Sequence, residues 1–196
     1  MSRVFRFGIG VCALPALVLW GLAGDAFAKC RIKNPDISIN GMTLTDGTSV
    51  TQVIGEGSDA DLIDDDHDLP HVRFVTSSGS EEMVLFLPYG ANPDEYAEVE
   101  VKVAGTEALT IRDLPIGSFR TGRGVSLGMT VKEVEALFGR CVKSRQENGD
   151  DLFIEYEVTD ADGDPELGRF GYPVYYAEYE FVSGKLVRFR FGFAFP

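Results

Sequence analysis

Histidine, cysteine and tryptophan are scarce in this sequence. Of 196 residues, two are His, three are Cys and one is Trp. The segment from Gly124 to Gly128 matches the nucleophile-elbow pattern of serine hydrolases around Ser126, but those enzymes need a His later in the chain. Both histidines, His67 and His71, precede Ser126. The pattern therefore indicates a tight turn, and we expect no catalytic residues and no enzyme.

Basic residues are also few. Lys and Arg total 18 against 31 Asp and Glu, which gives a net charge of −13 at pH 7. Such acidity argues against binding to nucleic acid or to anionic membrane surfaces, because both are negatively charged. It favours a basic protein as the partner.

An apolar run of transmembrane length is lacking too. The run over residues 11–22 is shorter than the about 20 residues that a membrane-spanning helix needs. Two arginines precede it, and Ala26-Phe27-Ala28 offers small residues where a signal peptidase cuts. We therefore expect a signal peptide over residues 1–28 and a mature chain in the periplasm or outside the cell, with no membrane insertion after cleavage.

The expected export makes the cysteines informative. Cys12 lies inside the apolar run, so the mature chain keeps Cys30 and Cys141, which have one possible pairing. In an oxidising compartment we expect them to be bonded, with two free thiols as the alternative. A lipoprotein is a further alternative, but its modified Cys follows a small or apolar residue, whereas Cys30 follows Lys29.

The clearest helix signal begins at Thr130. This residue predicts an N-cap, Glu133 can return a hydrogen bond to it, and Met129 and Val134 can form a hydrophobic staple. Gly139 predicts the end of the helix. The helix would have one apolar face, which we expect to pack on a β-sheet.

A weaker copy of this pattern lies 84 residues upstream, counted from Gly55 to Gly139. Asp46 or Thr48 can cap a short helix that Gly55 ends. Before that helix, Asn40-Gly41 predicts a hairpin with a two-residue type I′ turn, flanked by apolar residues on a shared face.

Three strands are predicted after each helix, from the alternation of apolar and polar residues. They cover residues 71–75, 83–87, 95–103, 152–158, 174–182 and 186–195. Charged residues point outward on the last two: Glu178, Glu180, Arg188 and Arg190. Their apolar faces match only if the connecting loop has an odd number of residues, so we expect three, with Gly184 in a left-handed conformation.

These elements predict an α+β fold. We expect two repeats, each a short helix plus an antiparallel sheet, packed into one compact unit with both helices on the same side of the strands. The first repeat would cover residues 29–108 and the second residues 109–196.

The second half resembles a known repeat unit. Leu127-Gly-Met-Thr, then Val134, Leu137-Phe138-Gly139 and Cys141, followed by aromatic strands with a Gly-Lys-Leu hairpin, resembles the repeat of the β-lactamase-inhibitory protein fold. It is also similar to the single unit of the small lipoproteins of the outer-membrane β-barrel assembly machine. The resemblance implies a non-catalytic helix-on-sheet module that binds proteins through its sheet and loops. The inhibitory proteins close a disulfide inside each repeat, whereas the pair here would join the N-terminus to the second repeat.

Two acidic segments carry candidate cation ligands. Residues 59–68 are rich in Asp and include His67, but their spacing is not that of a known metal site, and Pro70 separates His67 from His71. Residues 160–164 resemble the start of a calcium loop but lack the glutamate at its twelfth position. We expect solvated acidic loops, no bound metal and no cofactor.

The leading interpretation is an exported, non-enzymatic module that binds another protein. One form is an inhibitor or immunity protein against a secreted or envelope enzyme. Alternatives are an accessory factor in envelope or outer-membrane assembly, and a metal-dependent or serine hydrolase. Tyrosines should supply affinity and acidic residues should speed association with a basic partner. The candidate residues are Tyr172, Tyr175, Tyr176, Asp64, Asp65 and Asp66.

Overall fold

The structure is a computed structural model that describes residues 32, 35–55, 62–64, 69–92, 94–105, 112–159, 167 and 171–194. A short hairpin comes first, with β1 at Ser38–Ile39 and β2 at Met42–Thr43. Its turn residues Asn40 and Gly41 have φ of 46° and 89°, the positive values that a type I′ turn needs. The hairpin prediction is confirmed, because Ile39 pairs with Met42.

Two eight-residue helices follow the pattern read from the sequence. Helix α1 covers Gly47–Ile54 with Asp46 as N-cap, and α2 covers Val131–Phe138 with Thr130 as N-cap. The capping box between Thr130 and Glu133 is confirmed. No helix in the described part of the chain is both long and apolar enough to span a membrane.

The remaining strands form one eight-stranded sheet. Its spatial order is β6-β3-β4-β5-β10-β9-β8-β7, with β3 and β6 parallel and every other pair antiparallel. The strand bounds are β3 His71–Val75, β4 Glu81–Phe86, β5 Glu98–Val103, β6 Arg112–Asp113, β7 Ser144–Asn148, β8 Asp151–Thr159, β9 Val174–Val182 and β10 Lys185–Ala194.

The core lies between one face of this sheet and the two helices. Phe74 and Tyr179 both lie on that face, because they belong to one row of cross-strand neighbours running through β4, β5 and β10. Phe138 of α2 packs against Tyr179 with ring centroids 5.6 Å apart. Arg112 lies over the Phe74 ring and donates to the carbonyl of Ile54 at the end of α1. Both helices therefore pack on the same face.

The predicted fold class is wrong. The chain is mostly β, with one large mixed sheet and two short helices, and is not a balanced α+β arrangement of two repeats. The prediction treated each half as a helix with its own sheet. In the structure β5 and β10, the last strands of the two halves, pair along their length and merge the halves. Phe191 opposite Val99 and Phe189 opposite Val101 bury this junction.

The predicted three-residue loop between β9 and β10 is also wrong. The loop has two residues, Ser183 and Gly184, with φ of 49° and 75°. The register shifts between Leu186 and Arg188, so that Val187 is the extra residue of a β-bulge. Because of this extra residue, the apolar side chains of β9 and β10 lie on the same face of the sheet. The prediction had explained the same match by a loop with an odd number of residues.

Two strands were not anticipated from the sequence. Strand β6 has only two residues, and β7 reads Ser144-Arg-Gln-Glu-Asn148, which is polar throughout. Neither has the apolar alternation from which strands are predicted. Both lie at the edges of the sheet, where short or polar strands are common because they discourage pairing with other chains.

Candidate functional site

The candidate site is the sheet face opposite the helices, which is called the polar face below. Charged side chains predominate on it, and among them the carboxylates outnumber the cations. Its charged members are Arg73, Glu82, Glu98, Glu100, Lys102, Glu155, Glu157, Glu178, Glu180, Arg188 and Arg190. These residues belong to six adjacent strands. Their side chains come together because outward residues of neighbouring strands lie side by side.

Several of these charges are buried although they face away from the core. The side chains of Glu82, Glu98 and Glu100 are 3%, 6% and 10% exposed. Arg73 Nε donates to Glu82 Oε1 at 2.6 Å, and Lys102 Nζ lies 3.8 Å from the same oxygen. Neighbouring long side chains therefore cover the carboxylates and pair with them, which is what a buried charge requires.

Glu98 is held from two sides. Arg190 and Tyr176 both donate hydrogen bonds to its carboxylate. Burial raises the pKa of Glu98 above its usual value, and the charge of Arg190 opposes that rise. The Arg190 guanidinium also lies over Phe86, 4.6 Å from the ring centroid. The Arg190 side chain is therefore fixed in place by a carboxylate and an aromatic ring.

Arg188 joins three carboxylates. Its guanidinium lies 2.7 Å from Glu100, 2.7 Å from Glu180 and 3.6 Å from Glu178. Burial alone would raise the pKa of Glu100, but the hydrogen bond and charge of Arg188 outweigh it and hold that pKa below its usual value. One arginine thus ties β10 to both β5 and β9.

Glu178 has an opposite charge on one side, Arg190 on β10, and a like charge on the other. It lies directly opposite Glu155 on the neighbouring strand β8, an arrangement of like charges that is unfavourable. Burial raises the pKa of Glu178, the charges of Arg188 and Arg190 oppose that rise, and the charges of Glu155 and Glu180 add to it. Lys143 Nζ, at 2.9 Å, partly neutralises Glu155. An added cation near Glu178 would therefore be favourable.

The three candidate tyrosines lie in different surroundings. Tyr175 is fully buried in the core and offers no surface to a partner. Tyr172 is half-buried, and its ring stacks on Phe193 with centroids 4.9 Å apart. Tyr176 alone belongs to the polar face, where burial raises the pKa of its hydroxyl. The structure therefore does not bring the three together on one surface.

The acidic candidates are only partly described. Asp64 is exposed, while Asp65, Asp66, His67 and most of residues 59–68 lie outside the described residues. His71 is buried on β3, with its Nδ1 3.2 Å from the carbonyl oxygen of Leu69. Among the described residues, no three His, Cys, Asp or Glu side chains are placed to hold a metal ion.

The remaining predictions fall largely outside the described residues. These include the signal peptide at 1–28, the segment 160–164 and Cys30. Cys141 lies after α2 and is disulfide-bonded, but the pairing with Cys30 stays a prediction. Ser126 sits in the turn before α2, where its backbone N–H points to Met129 Sδ at 3.4 Å.

The sequence did predict the outward charges of β9 and β10 but missed their partners on β5. A signal for them was present. Glu98-Val-Glu100 on β5 and Arg188-Phe-Arg190 on β10 alternate with the same period and carry opposite charges. Such a match favours antiparallel pairing of the two strands, and Arg190 does lie opposite Glu100.

Comparisons of the chain with models of protein families, with curated proteins and with solved structures found no match. The resemblance to the β-lactamase-inhibitory protein fold therefore stays a prediction.

Proposed function

We propose that this protein is an exported, non-enzymatic binding module and that the polar face of its sheet contacts a basic protein. The observation that carries the proposal is the paired network of charges on that face, centred on Arg188 and Arg190. Both helices pack on the opposite face, so the network is not explained by their packing. An inhibitor or immunity role against a secreted or envelope enzyme is one concrete form of this function.

The network is suited to binding because its side chains are held before a partner arrives. Arg188 is bound by carboxylates on two neighbouring strands, and Arg190 by Glu98 and the Phe86 ring. Ordering a long side chain at an interface costs about 0.5 to 1.5 kcal/mol, and a side chain that is already ordered avoids most of that cost.

Charge supports a basic partner. The whole chain carries −13, and the polar face adds a local excess of carboxylates over cations. Complementary charge raises the rate of association and disfavours acidic competitors. A partner that brings a cation to Glu178 would relieve its repulsion with Glu155.

Site-specific photo-crosslinking in the producing cells tests this proposal. A benzophenone amino acid replaces Glu157 on the polar face or, as the control, Lys132 on the exposed side of α2. Both sites admit a large side chain, because the Glu157 side chain is 28% exposed and Lys132 is exposed. We expect a crosslinked protein from position 157 and none from position 132.

The captured protein, once purified, is then tested for binding. Arg188→Gln should weaken binding about tenfold, because the three carboxylates that Arg188 holds would lose their order and a partner would have to restore it. Equal crosslinking from both positions would contradict the proposal. Unchanged binding by Arg188→Gln and Glu178→Gln would also contradict it, because the partner would then contact a surface other than the polar face.

A further inference from the structure

A hollow of about 280 Å³ opens on the polar face where β7, β8 and β9 lie side by side. Its walls are outward side chains of these strands: Gln146, Asn148, Asp151, Phe153, Glu180 and Val182. Ligand pockets in proteins usually measure about 300 to 1,000 Å³, so this hollow suits one side chain better than a cofactor.

The chemistry of the hollow is that of a cation site with an apolar floor. Phe153 is the aromatic surface, and Asp151 and Glu180 supply two carboxylates. Gln146 and Asn148 add carboxamide oxygens, which accept hydrogen bonds. A planar guanidinium can stack on an aromatic ring while donating to carboxylates at its edge.

The surrounding charges leave this site negative. Arg188 donates to Glu180 Oε1 at 2.7 Å, but 43% of the Glu180 side chain stays exposed. Arg145 on β7 is engaged by Glu135 and Glu147 on the other side of the strand. Asp151 is exposed at the start of β8.

We infer that this hollow is a specificity pocket that accepts an arginine side chain of the partner protein. The inference rests on the proposed function and adds to it which partner group is recognised and where. The alkyl stem would lie against Val182 and Phe153, and the guanidinium would reach Asp151 and Glu180.

The pocket is tested without the partner by titrating ¹⁵N-labelled protein with N-acetylarginine amide and following amide resonances. The neutral isostere N-acetylcitrulline amide is the matched control. We expect millimolar binding of the arginine probe with shifts centred on residues 146–153 and 180–182, and no saturable shift with citrulline. Equal responses to both probes, or shifts centred elsewhere on the sheet, would overturn the inference.

Two variants sharpen the test. Asp151→Asn and Phe153→Leu should each weaken the arginine probe about threefold, the effect of one exposed ion pair or one cation–π contact. Asp113→Asn removes the same charge on β6, five strands away from β9, and should leave binding unchanged. Equal weakening by Asp113→Asn would mean that net charge alone sets the affinity and would contradict a built pocket.

The pocket and the proposed function can fail separately. A partner crosslinked from position 157 whose dissociation rate is unchanged by Asp151→Asn and Phe153→Leu would refute the pocket and keep the function. Saturable arginine binding in a protein whose polar face captures no partner would refute the function and leave a cation site.

Discussion

Tyr176 donates its hydroxyl hydrogen to Glu98 across Gly192, although the two residues are 78 positions apart in the sequence. Tyr176, Gly192 and Glu98 are direct neighbours on β9, β10 and β5. Because Gly192 has no side chain, the phenol ring of Tyr176 can reach over β10. This contact and the ion pair between Arg190 and Glu98 join the two halves of the chain on the polar face.

The first prediction compares two neighbouring tyrosines. Tyr176→Phe removes a hydrogen bond to a buried carboxylate and should lower the free energy of unfolding by about 1.5 to 3 kcal/mol. Tyr175 Oη is buried and has no hydrogen-bond partner among the described residues. Tyr175→Phe should therefore be neutral or stabilising by up to about 1 kcal/mol. Urea unfolding at pH 7 measures both, and equal losses would contradict this assignment of their roles.

The second prediction concerns Gly192 itself. A Cβ at this position would lie 2.6 Å from the Cα of Glu98, and backbone atoms cannot move aside as a flexible side chain can. Gly192→Ala should therefore destabilise the protein by about 1 to 3 kcal/mol, in the range of overpacked sites. Gly117→Ala is the control, because nothing lies within 4 Å of its Cβ position. Chemical denaturation of both variants measures their free energies of unfolding. An unchanged free energy for Gly192→Ala would mean that β5 and β10 are not packed this closely.

The third prediction concerns Asp36, a buried carboxyl that accepts a hydrogen bond from the Arg123 backbone N–H at 3.1 Å. Burial raises its pKa from 3.8 to about 6, against the lowering effect of Thr121 and Arg123. A raised pKa means that the folded state favours the protonated form. This contribution to stability is complete below about pH 4 and is lost as the pH rises through 6.

Asp36→Asn keeps a neutral group of the same size and removes the titration. The variant should match the wild type near pH 4 and exceed it by about 2 to 3 kcal/mol at pH 7. Unfolding free energies of both proteins measured from pH 4 to 8 test this, since other groups cancel in the difference. A difference that stays constant with pH would contradict a raised pKa at Asp36.

Local signals predicted the helices well. The capping box at Thr130 and the stop at Gly139 depend on residues within one turn of the helix ends, so they can be found in any short window of sequence. The Asn40-Gly41 turn is equally local. These elements form at the expected positions because their determinants lie inside them.

Long-range pairing was harder to predict. The union of β5 with β10 depends on residues about 90 positions apart, such as Glu100 and Arg190, and no local window contains both. The bulge at Val187 was missed because a bulge and an odd loop have the same effect on the alternation of side chains. The candidate site shows the same difference. The outward positions of the charges on β9, β10 and β5 were predicted, whereas the pairing of Glu98 and Glu100 with the arginines of β10 and their burial were not.

The last prediction is the Cys30–Cys141 disulfide. Cys141 lies just after α2, and the bond would tie this end of the helix to the chain before the β1–β2 hairpin. On the chain-entropy model, closing a loop of more than a hundred residues stabilises a fold by about 4 to 5 kcal/mol. Digestion of the protein without reductant should therefore yield the two cysteine peptides linked, as detected by mass spectrometry. Reductant should lower the unfolding free energy of the wild type and leave a Cys30→Ala, Cys141→Ala double variant unchanged. Recovery of both peptides with free thiols would contradict this bond.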